Sequence, residues 1–213
     1  MAIAGVILAG GASTRMGQEK ATMLVDGVTM VVRVAHALRD AGCSPLLISV
    51  RDVEQRSRLA GILSHLTEVE FVLDDSPHRG SRHGLISALQ RCVDNNWIRV
   101  QLAPCDVPWL DAKLVNTLWS NFPDVGCRLV LPRSAPPGST GADGLEPLLA
   151  AVEPVALLTA FGDADNDARL VDVMRRLPHQ VVKEDEWRDA GINPSCFLNV
   201  NRMEDLRQSP LDH

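Results

Sequence analysis

The chain has 213 residues, 46% hydrophobic and 23% charged, which suits one globular domain and excludes a disordered chain. Its formal net charge of −6 excludes the broad basic face that general nucleic-acid binding requires, although local Arg and Lys side chains could still hold a single nucleotide. No apolar run approaches the length of a membrane span and no basic start of a signal peptide is present, so we expect one cytoplasmic domain over residues 1–213 without nucleic-acid or membrane partners.

The first predicted strand and the loop after it carry the strongest signal. Residues 3–8 form a short, partly β-branched apolar run that ends before Gly10 and Gly11. Paired glycines allow the close backbone approach that a loop needs when its amide groups wrap a polyphosphate. Arg15 and Lys20 add two cations, and a cation about 4 Å from a phosphate oxygen gains roughly 4 kcal/mol at an effective dielectric constant near 20. We therefore predict a phosphate-binding loop.

Two better-known phosphate loops are excluded by spacing. A Walker A motif needs Lys directly after its second Gly, whereas Gly17 is separated from Lys20 by two residues. Gly10, Gly11 and Gly17 do not fit the G-x-G-x-x-G spacing of a dinucleotide-binding loop either. The loop is of a third kind.

The segments that follow alternate between apolar strands and amphipathic helices. We predict a helix over 30–41 that starts at the N-cap Thr29, a strand over 46–50, a helix over 53–64 and a strand over 69–73. This alternation is typical of βαβ units on a parallel sheet. The expected fold is a three-layer α/β/α sandwich with a mostly parallel, Rossmann-like sheet.

A polar loop over 74–83 follows the third of these strands and leads into a helix that begins near Gly84. Ligands of open α/β sheets collect at the carboxyl ends of the strands. The loop is therefore placed to reach a ligand, although loops of this composition are usually only solvated.

Asp106 is the predicted metal ligand. It follows a predicted strand over 97–103 and lies between Pro104 and Pro108, which fix its backbone and keep it out of a helix. Mg²⁺ is usually bound through one or two carboxylates together with substrate phosphates. Asp111 is better placed than Asp106 to cap the next helix, which we expect to end at Leu118.

The signal is weaker beyond residue 122. We predict a strand over 127–131 and a loop over 133–144 that is rich in Gly, Pro and Ser. The acidic run 163–167 lacks the Gly and Glu that a calcium loop needs at its sixth and twelfth positions. We interpret these acids as caps of a helix over 168–177.

Asn199 and Asn201 stand two residues apart on a segment that we expect to be extended. Side chains at that spacing point to the same side of a strand and here offer paired donors and acceptors. The five cysteines are odd in number, widely spaced and without a C-x-x-C pair, which favours buried free thiols in a reducing compartment.

Three motifs in this order resemble the molybdenum cofactor guanylyltransferases, a family of small nucleotidyltransferases. They are Leu8-Ala9-Gly10-Gly11 with Arg15 and Lys20, then Cys105-Asp106-x-Pro108, then Phe197-x-Asn199-x-Asn201. The resemblance implies transfer of GMP from GTP to molybdopterin with release of pyrophosphate. It also implies an Mg²⁺ cofactor and, as a further expectation, a monomer with transient contacts to other proteins of molybdenum cofactor biosynthesis.

The resemblance also implies a role for each matching residue. Leu8, Ala9, Gly10 and Gly11 would bind the nucleotide, together with Lys20, Asp75 and Asp106. Arg15, Lys20 and Asp106 would serve catalysis, with Asp106 on the metal, while Asn199 and Asn201 would hold the acceptor.

Two positions depart from the family pattern and leave alternatives open. Glu146 stands where the family usually has His, and Ser49 stands where it often has Asn near the base. One alternative is a related transferase that uses CTP and molybdopterin, or that acts on a sugar or alcohol phosphate. Another is a non-catalytic nucleotide-binding module, against which the presence of Lys20 and Asp106 argues.

Overall fold

The computed structural model of the chain describes residues 3–10, 19–74, 81–135, 143–201 and 205. Its strands are β1 Ile3–Leu8, β2 Leu24–Val25, β3 Val28–Thr29, β4 Cys43–Val50, β5 Val69–Leu73, β6 Val100–Pro104, β7 Leu129–Pro132, β8 Ala151–Val152 and β9 His179–Val182. Its α-helices are α1 Met30–Asp40, α2 Val53–Ile62, α3 Ser81–Asp94, α4 Ala112–Ser120, α5 Pro154–Gly162, α6 Leu170–Arg175 and α7 Glu184–Asp189. Short 3₁₀ turns cover Lys20–Thr22, Pro147–Leu149 and Pro194–Phe197.

The central sheet has seven strands in the order β5-β4-β1-β6-β8-β7-β9. Strands β1, β4, β5 and β6 run parallel, whereas β8 runs antiparallel to both of its neighbours. The chain moves outward from β1 through β4 to β5 and then returns through α3 to β6 on the other side of β1. Such a reversal leaves a crevice at the carboxyl ends of the two strands between which the order changes.

Helices cover both faces of this sheet. Helices α1, α2, α4 and α7 pack on one face and α3, α5 and α6 on the other, each over its own apolar cluster. Strand β1 serves both clusters, because Ile7 points into one and Val6 into the other with neither side chain exposed. The predicted three-layer, mostly parallel fold is confirmed. No helix in the described segments is both long and apolar enough to cross a membrane.

Most of the predicted elements are present, with shifted ends. The strand expected over 97–103 begins at Val100, because residues 95–99 complete a turn after α3. Thr29 occupies the N-cap of α1 with extended backbone angles, but its side chain makes no capping hydrogen bond. Asp111 caps α4 as expected by accepting from the backbone N–H of Lys113.

The interpretation of the acidic run 163–167 as a helix cap is wrong. The helix that follows is shorter than expected and takes Arg169 at its N-cap, without a side-chain cap. Residues 163 to 168 instead form a turn between α5 and α6, in which the Ala168 N–H donates to the Asp165 carbonyl. The acids therefore face solvent at a corner of the fold.

All five cysteines are buried and free, as predicted. Burial raises the pKa of Cys43 and of Cys92 to about 12, so neither thiol ionises near neutral pH.

Candidate active site

The strands that flank the topological switch bring the first and second sequence motifs together. Leu8 and Pro104, the last residues of β1 and β6, are direct partners in the parallel ladder. The ladder continues one step further, because the Cys105 N–H donates to the Leu8 carbonyl at 3.1 Å. Asp106 thus lies beside the start of the Gly-rich loop, at the edge of the sheet where ligands are expected.

The start of the Gly-rich loop is fixed against the end of β4. The Ala9 N–H donates to the Ser49 carbonyl at 2.9 Å. A Cβ atom at Gly10 would lie 3.4 Å from the backbone nitrogen of Arg51, at the short end of ordinary van der Waals contact. The two chain segments therefore pack closely at this point.

Gln55 ties these two segments together. Its side chain is 1% exposed, and its amide nitrogen donates to the Ala9 carbonyl at 3.0 Å while its amide oxygen accepts from the Arg51 N–H at 2.7 Å. Helix α2 holds Gln55 in place, since the Asp52 side chain caps the helix by accepting from the Gln55 N–H. That bond, with a second from Arg51, lowers the pKa of Asp52. One buried amide therefore adds two hydrogen bonds to the backbone bond that already joins the Gly-rich loop to β4.

Lys20 stands between Asp106 and the C-terminal segment. Its ammonium nitrogen donates to Asp106 Oδ2 at 2.9 Å and to Asn201 Oδ1 at 2.6 Å. The Lys20 and Asp106 side chains are 24% and 22% exposed, so both remain accessible to a ligand. Three residues from three different sequence motifs thus form one connected group.

The C-terminal segment is anchored to the loop that carries Asp106. The Val200 N–H donates to the Asp106 carbonyl at 2.8 Å, and the Val200 side chain is fully buried beside Trp109 and Met30. Asn199 and Asn201 flank this buried residue and are both exposed. The backbone of Asn201 is further held by the Asp205 carboxylate, at 2.7 Å.

Ser49 and Gly84 form a narrow contact where β4 meets the start of α3. The Ser49 side chain is 1% exposed and its hydroxyl donates to the Gly84 carbonyl at 3.1 Å. A Cβ atom at position 84 would lie 3.1 Å from the same hydroxyl oxygen. The small side chain at 49 and the missing one at 84 therefore depend on each other, which gives a packing reason for the departure at Ser49.

The predicted site residues divide into two groups. Leu8, Ala9 and Gly10 meet Lys20, Asp106 and Asn201 at one edge of the sheet, with Asn199 adjacent in the chain. Gly11, Arg15 and Asp75 lie outside the described residues. Their assigned roles stay predictions.

Sequence reasoning missed Gln55. The segment Asp52-x-x-Gln55 fits the pattern of a helix capping box, which is why it reads as an ordinary helix start. That pattern does not predict that the Gln55 side chain is buried, which is unusual for glutamine.

Asp106 satisfies the requirements of an Mg²⁺ ligand on its side of the site. Only its Oδ2 atom is engaged by Lys20, and no described residue donates to Oδ1. Among the described residues no three His, Cys, Asp or Glu side chains come close enough to hold a metal ion by themselves. Mg²⁺ is commonly bound by one or two carboxylates together with substrate phosphates. A single carboxylate therefore suits Mg²⁺ better than an ion that needs several protein ligands.

The chain is similar in sequence to a known protein family over most of its length. Residues 5–181 match the family description "MobA-like NTP transferase domain". A probable molybdenum cofactor guanylyltransferase from Natronomonas pharaonis is 32% identical over 96% of this chain and 95% of its own length. Another, from Opitutus terrae, is 32% identical over all of this chain and 96% of its own length.

Solved structures share the fold at lower identity. Molybdopterin-guanine dinucleotide biosynthesis protein A from Archaeoglobus fulgidus superimposes with a TM-score of 0.73, at 22% identity over 97% of this chain and 96% of that one. A 4-diphosphocytidyl-2C-methyl-D-erythritol synthase from Anaerococcus prevotii reaches a TM-score of 0.72 at 11% identity over 99% and 95% of the two chains. At these identities the likeness shows the fold alone.

Proposed function

The chain belongs to the MobA-like NTP transferase family, and we propose that it transfers GMP from GTP to molybdopterin with release of pyrophosphate. The curated relatives named as molybdenum cofactor guanylyltransferases cover nearly the whole chain, which supports this activity within the family. The enzyme is thus a nucleotidyltransferase of molybdenum cofactor biosynthesis.

The reaction needs positioning and charge neutralisation rather than a covalent intermediate. A terminal phosphate oxygen of the acceptor attacks the α-phosphorus of GTP, one P–O bond forms, the bond to the β-phosphate oxygen breaks, and pyrophosphate leaves with the electron pair. A phosphate nucleophile is already ionised near neutral pH, so no general base is required. We assign Lys20 and Arg15 to the charge that grows on the leaving phosphates.

Asp106 is the proposed Mg²⁺ ligand. Bound there, the ion would neutralise charge on the phosphates of both reactants. The accessible carboxylate at the carboxyl end of β6, with one oxygen held by Lys20, supports this assignment. The chain itself fixes the backbone of Asp106, and so the position of its carboxylate. The Val200 N–H donates to the Asp106 backbone carbonyl, and Pro104 and Pro108 restrict the segment on either side.

The observation that carries the proposal is the contact of Lys20 with Asp106 and Asn201. It joins the nucleotide motif, the metal motif and the C-terminal motif in one group, as a reaction between a nucleotide and a second substrate requires. Asn199 and Asn201 are accordingly proposed to hold the acceptor. That the enzyme acts as a monomer in the cytoplasm, as one domain with transient protein partners, stays a prediction.

The decisive experiment measures transfer to molybdopterin from each of the four NTPs with Mg²⁺, together with the dissociation constant of each NTP with and without Mg²⁺. The expected result is Mg²⁺-dependent formation of the guanine dinucleotide and pyrophosphate, with GTP preferred. Preference for CTP would identify a cytidylyltransferase, and transfer of GMP to a sugar phosphate but not to molybdopterin would refute the acceptor. Nucleotide binding that is independent of Mg²⁺ and without turnover would support the non-catalytic module.

A further inference from the structure

Glu146 lies close to the end of strand β7. Its backbone N–H donates to the Pro132 carbonyl at 3.0 Å, which places it at the carboxyl end of β7. Strand β7 runs parallel to β6, because the β8 strand between them is antiparallel to both. Leu145 forms an antiparallel bridge with Arg133, so Glu146 lies on the segment that runs into β8, between β7 and β6. Glu146 and Asp106 therefore lie at the same edge of the sheet, with Glu146 about one strand spacing, roughly 5 Å, to the side of the line of β6.

The C-terminal segment passes close to Glu146. Phe197, in the 3₁₀ turn Pro194–Phe197 just before Asn199, packs edge-on against Trp187 with 5.1 Å between ring centroids. Trp187 Nε1 donates to the carbonyl of Arg133, and Arg133 bridges to Leu145, the neighbour of Glu146. Glu146, Asn199 and Asp106 thus border one region of the sheet edge.

The Glu146 carboxylate is only partly satisfied by the protein. The Ser134 hydroxyl donates to Oε1 at 2.5 Å, while no described residue donates to Oε2. No described Lys, Arg or His lies within ion-pair distance of it, and burial raises the pKa of Glu146 above its usual value. A half-buried carboxylate without a cation is costly, so a ligand that supplies N–H donors would stabilise it.

We propose that Glu146 is the specificity-determining residue for the pterin ring of the acceptor, and that it accepts hydrogen bonds from the ring's 2-amino group and N3–H. This inference rests on the proposed function. The two neighbouring N–H donors of a 2-amino-4-oxopteridine match the two oxygens of a carboxylate. With the ring held at Glu146, the phosphate on its short arm would extend along the same edge of the sheet towards Asp106. His at this position could not accept both bonds.

The test compares Glu146→Gln with the wild-type enzyme. Gln keeps the size of Glu and can still accept from Ser134, but it replaces one acceptor oxygen by a donor nitrogen and removes the charge. We expect the KM for molybdopterin to rise about ten- to hundredfold, the scale of a lost charged hydrogen bond. The dissociation constant of GTP should stay unchanged. Glu153→Gln is the matched control, because Glu153 is a partly buried carboxylate that follows β8 at the opposite edge of the sheet and should leave both quantities near the wild-type value.

A pair of free ring compounds gives a second readout without turnover. Pterin carries the 2-amino group, whereas lumazine has an oxygen in its place and a hydrogen on N1, and keeps the same fused ring and N3–H. Calorimetric titration should show that the wild type binds pterin at least about tenfold more tightly than lumazine, and that Glu146→Gln loses this preference.

Three results would overturn the assignment: an unchanged KM for molybdopterin in Glu146→Gln, a changed affinity for GTP, or no preference of the wild type for pterin over lumazine. A thermal unfolding midpoint close to that of the wild type shows that the variant is folded. Failure of the wild type to transfer GMP to molybdopterin would instead refute the proposed function, so the two failures are distinguishable.

Discussion

Replacing Gln55 by Leu tests whether a buried amide controls nucleotide binding from a distance. Leu is similar in size but supplies neither the donor for the Ala9 carbonyl nor the acceptor for the Arg51 N–H. Each unsatisfied buried group costs about 1–3 kcal/mol, so the free energy of unfolding should fall by roughly 2–6 kcal/mol before the added apolar contact is counted. A loss of about 2 kcal/mol lowers the melting midpoint of a chain of this size by roughly 4–8 °C.

The functional effect should exceed the structural one. Without Gln55 the start of the Gly-rich loop keeps the backbone bond from Ala9 to Ser49 but loses its side-chain link to the residue after β4. A displacement of about 1 Å at a binding site costs up to roughly a hundredfold in rate. We expect GTP affinity to drop at least about tenfold in Gln55→Leu. Chemical denaturation and calorimetric GTP titration, both on the purified enzyme, measure the two effects separately.

Gln101→Leu is the matched control. Gln101 is likewise 1% exposed, and its amide nitrogen donates to the carbonyls of Leu102 and Leu149 in the middle of the sheet. Its replacement removes these two bonds but also removes the buried Oε1 atom, which has no partner among the described residues, so stability should fall by less than in Gln55→Leu and GTP affinity should stay unchanged. Equal GTP affinities for the Gln55 and Gln101 variants would refute the reasoning, because Gln55 would then act only on stability.

Three further predictions concern the polar group itself. Asp106→Ala should lower turnover by about two orders of magnitude or more, the scale of losing a main charge stabiliser. Its stability should change little, because the part-exposed ion pair with Lys20 contributes at most about 1 kcal/mol. Near-normal turnover at saturating Mg²⁺ would contradict the metal assignment. Lys20→Ala should weaken GTP binding and lower turnover. Arg15→Lys should also lower turnover, because lysine lacks the planar bidentate guanidinium of arginine. If Lys20→Ala bound GTP and turned over like the wild type, the Gly-rich loop would have a structural role only. Asn199→Ala should raise the KM for the acceptor alone, whereas Asn201→Ala should also change GTP affinity, because Asn201 bonds to Lys20. Steady-state kinetics with each substrate varied in turn measures the two KM values separately. Identical effects of both variants would contradict this difference between the two asparagines.

The sequence was most informative where one local rule decides the structure. Strand β1 and the Gly-rich loop are marked by an apolar run that stops at glycines, and α1 by an apolar stripe that ends before Gly42. Asp106 could be placed because two prolines prevent a helix around it. These features gave the parallel half of the sheet and the edge at which ligands are expected.

Features that depend on tertiary packing could not be predicted in this way. Strand β8 has two residues and is held only by its antiparallel neighbours, so no periodic pattern marks it. The hairpin of β2 and β3 is equally short. The bond between Lys20 and Asn201 joins residues 181 positions apart, and only the folded sheet brings them together.

The position of Lys20 determines how the site can accept its first substrate. The ammonium has three N–H donors, and the Asp106 carboxylate and the Asn201 amide oxygen engage two of them, so an incoming triphosphate can take the third or replace one of these partners. If the triphosphate replaces the Asp106 carboxylate, the Lys20 ammonium keeps a negatively charged partner. Asp106 then faces a polyphosphate of the same sign. The nucleotide and a divalent counter-ion are therefore expected to arrive as one complex. Where the triphosphate replaces Asn201, the Asn201 amide oxygen becomes available to the acceptor, which would favour binding of the nucleotide before the acceptor.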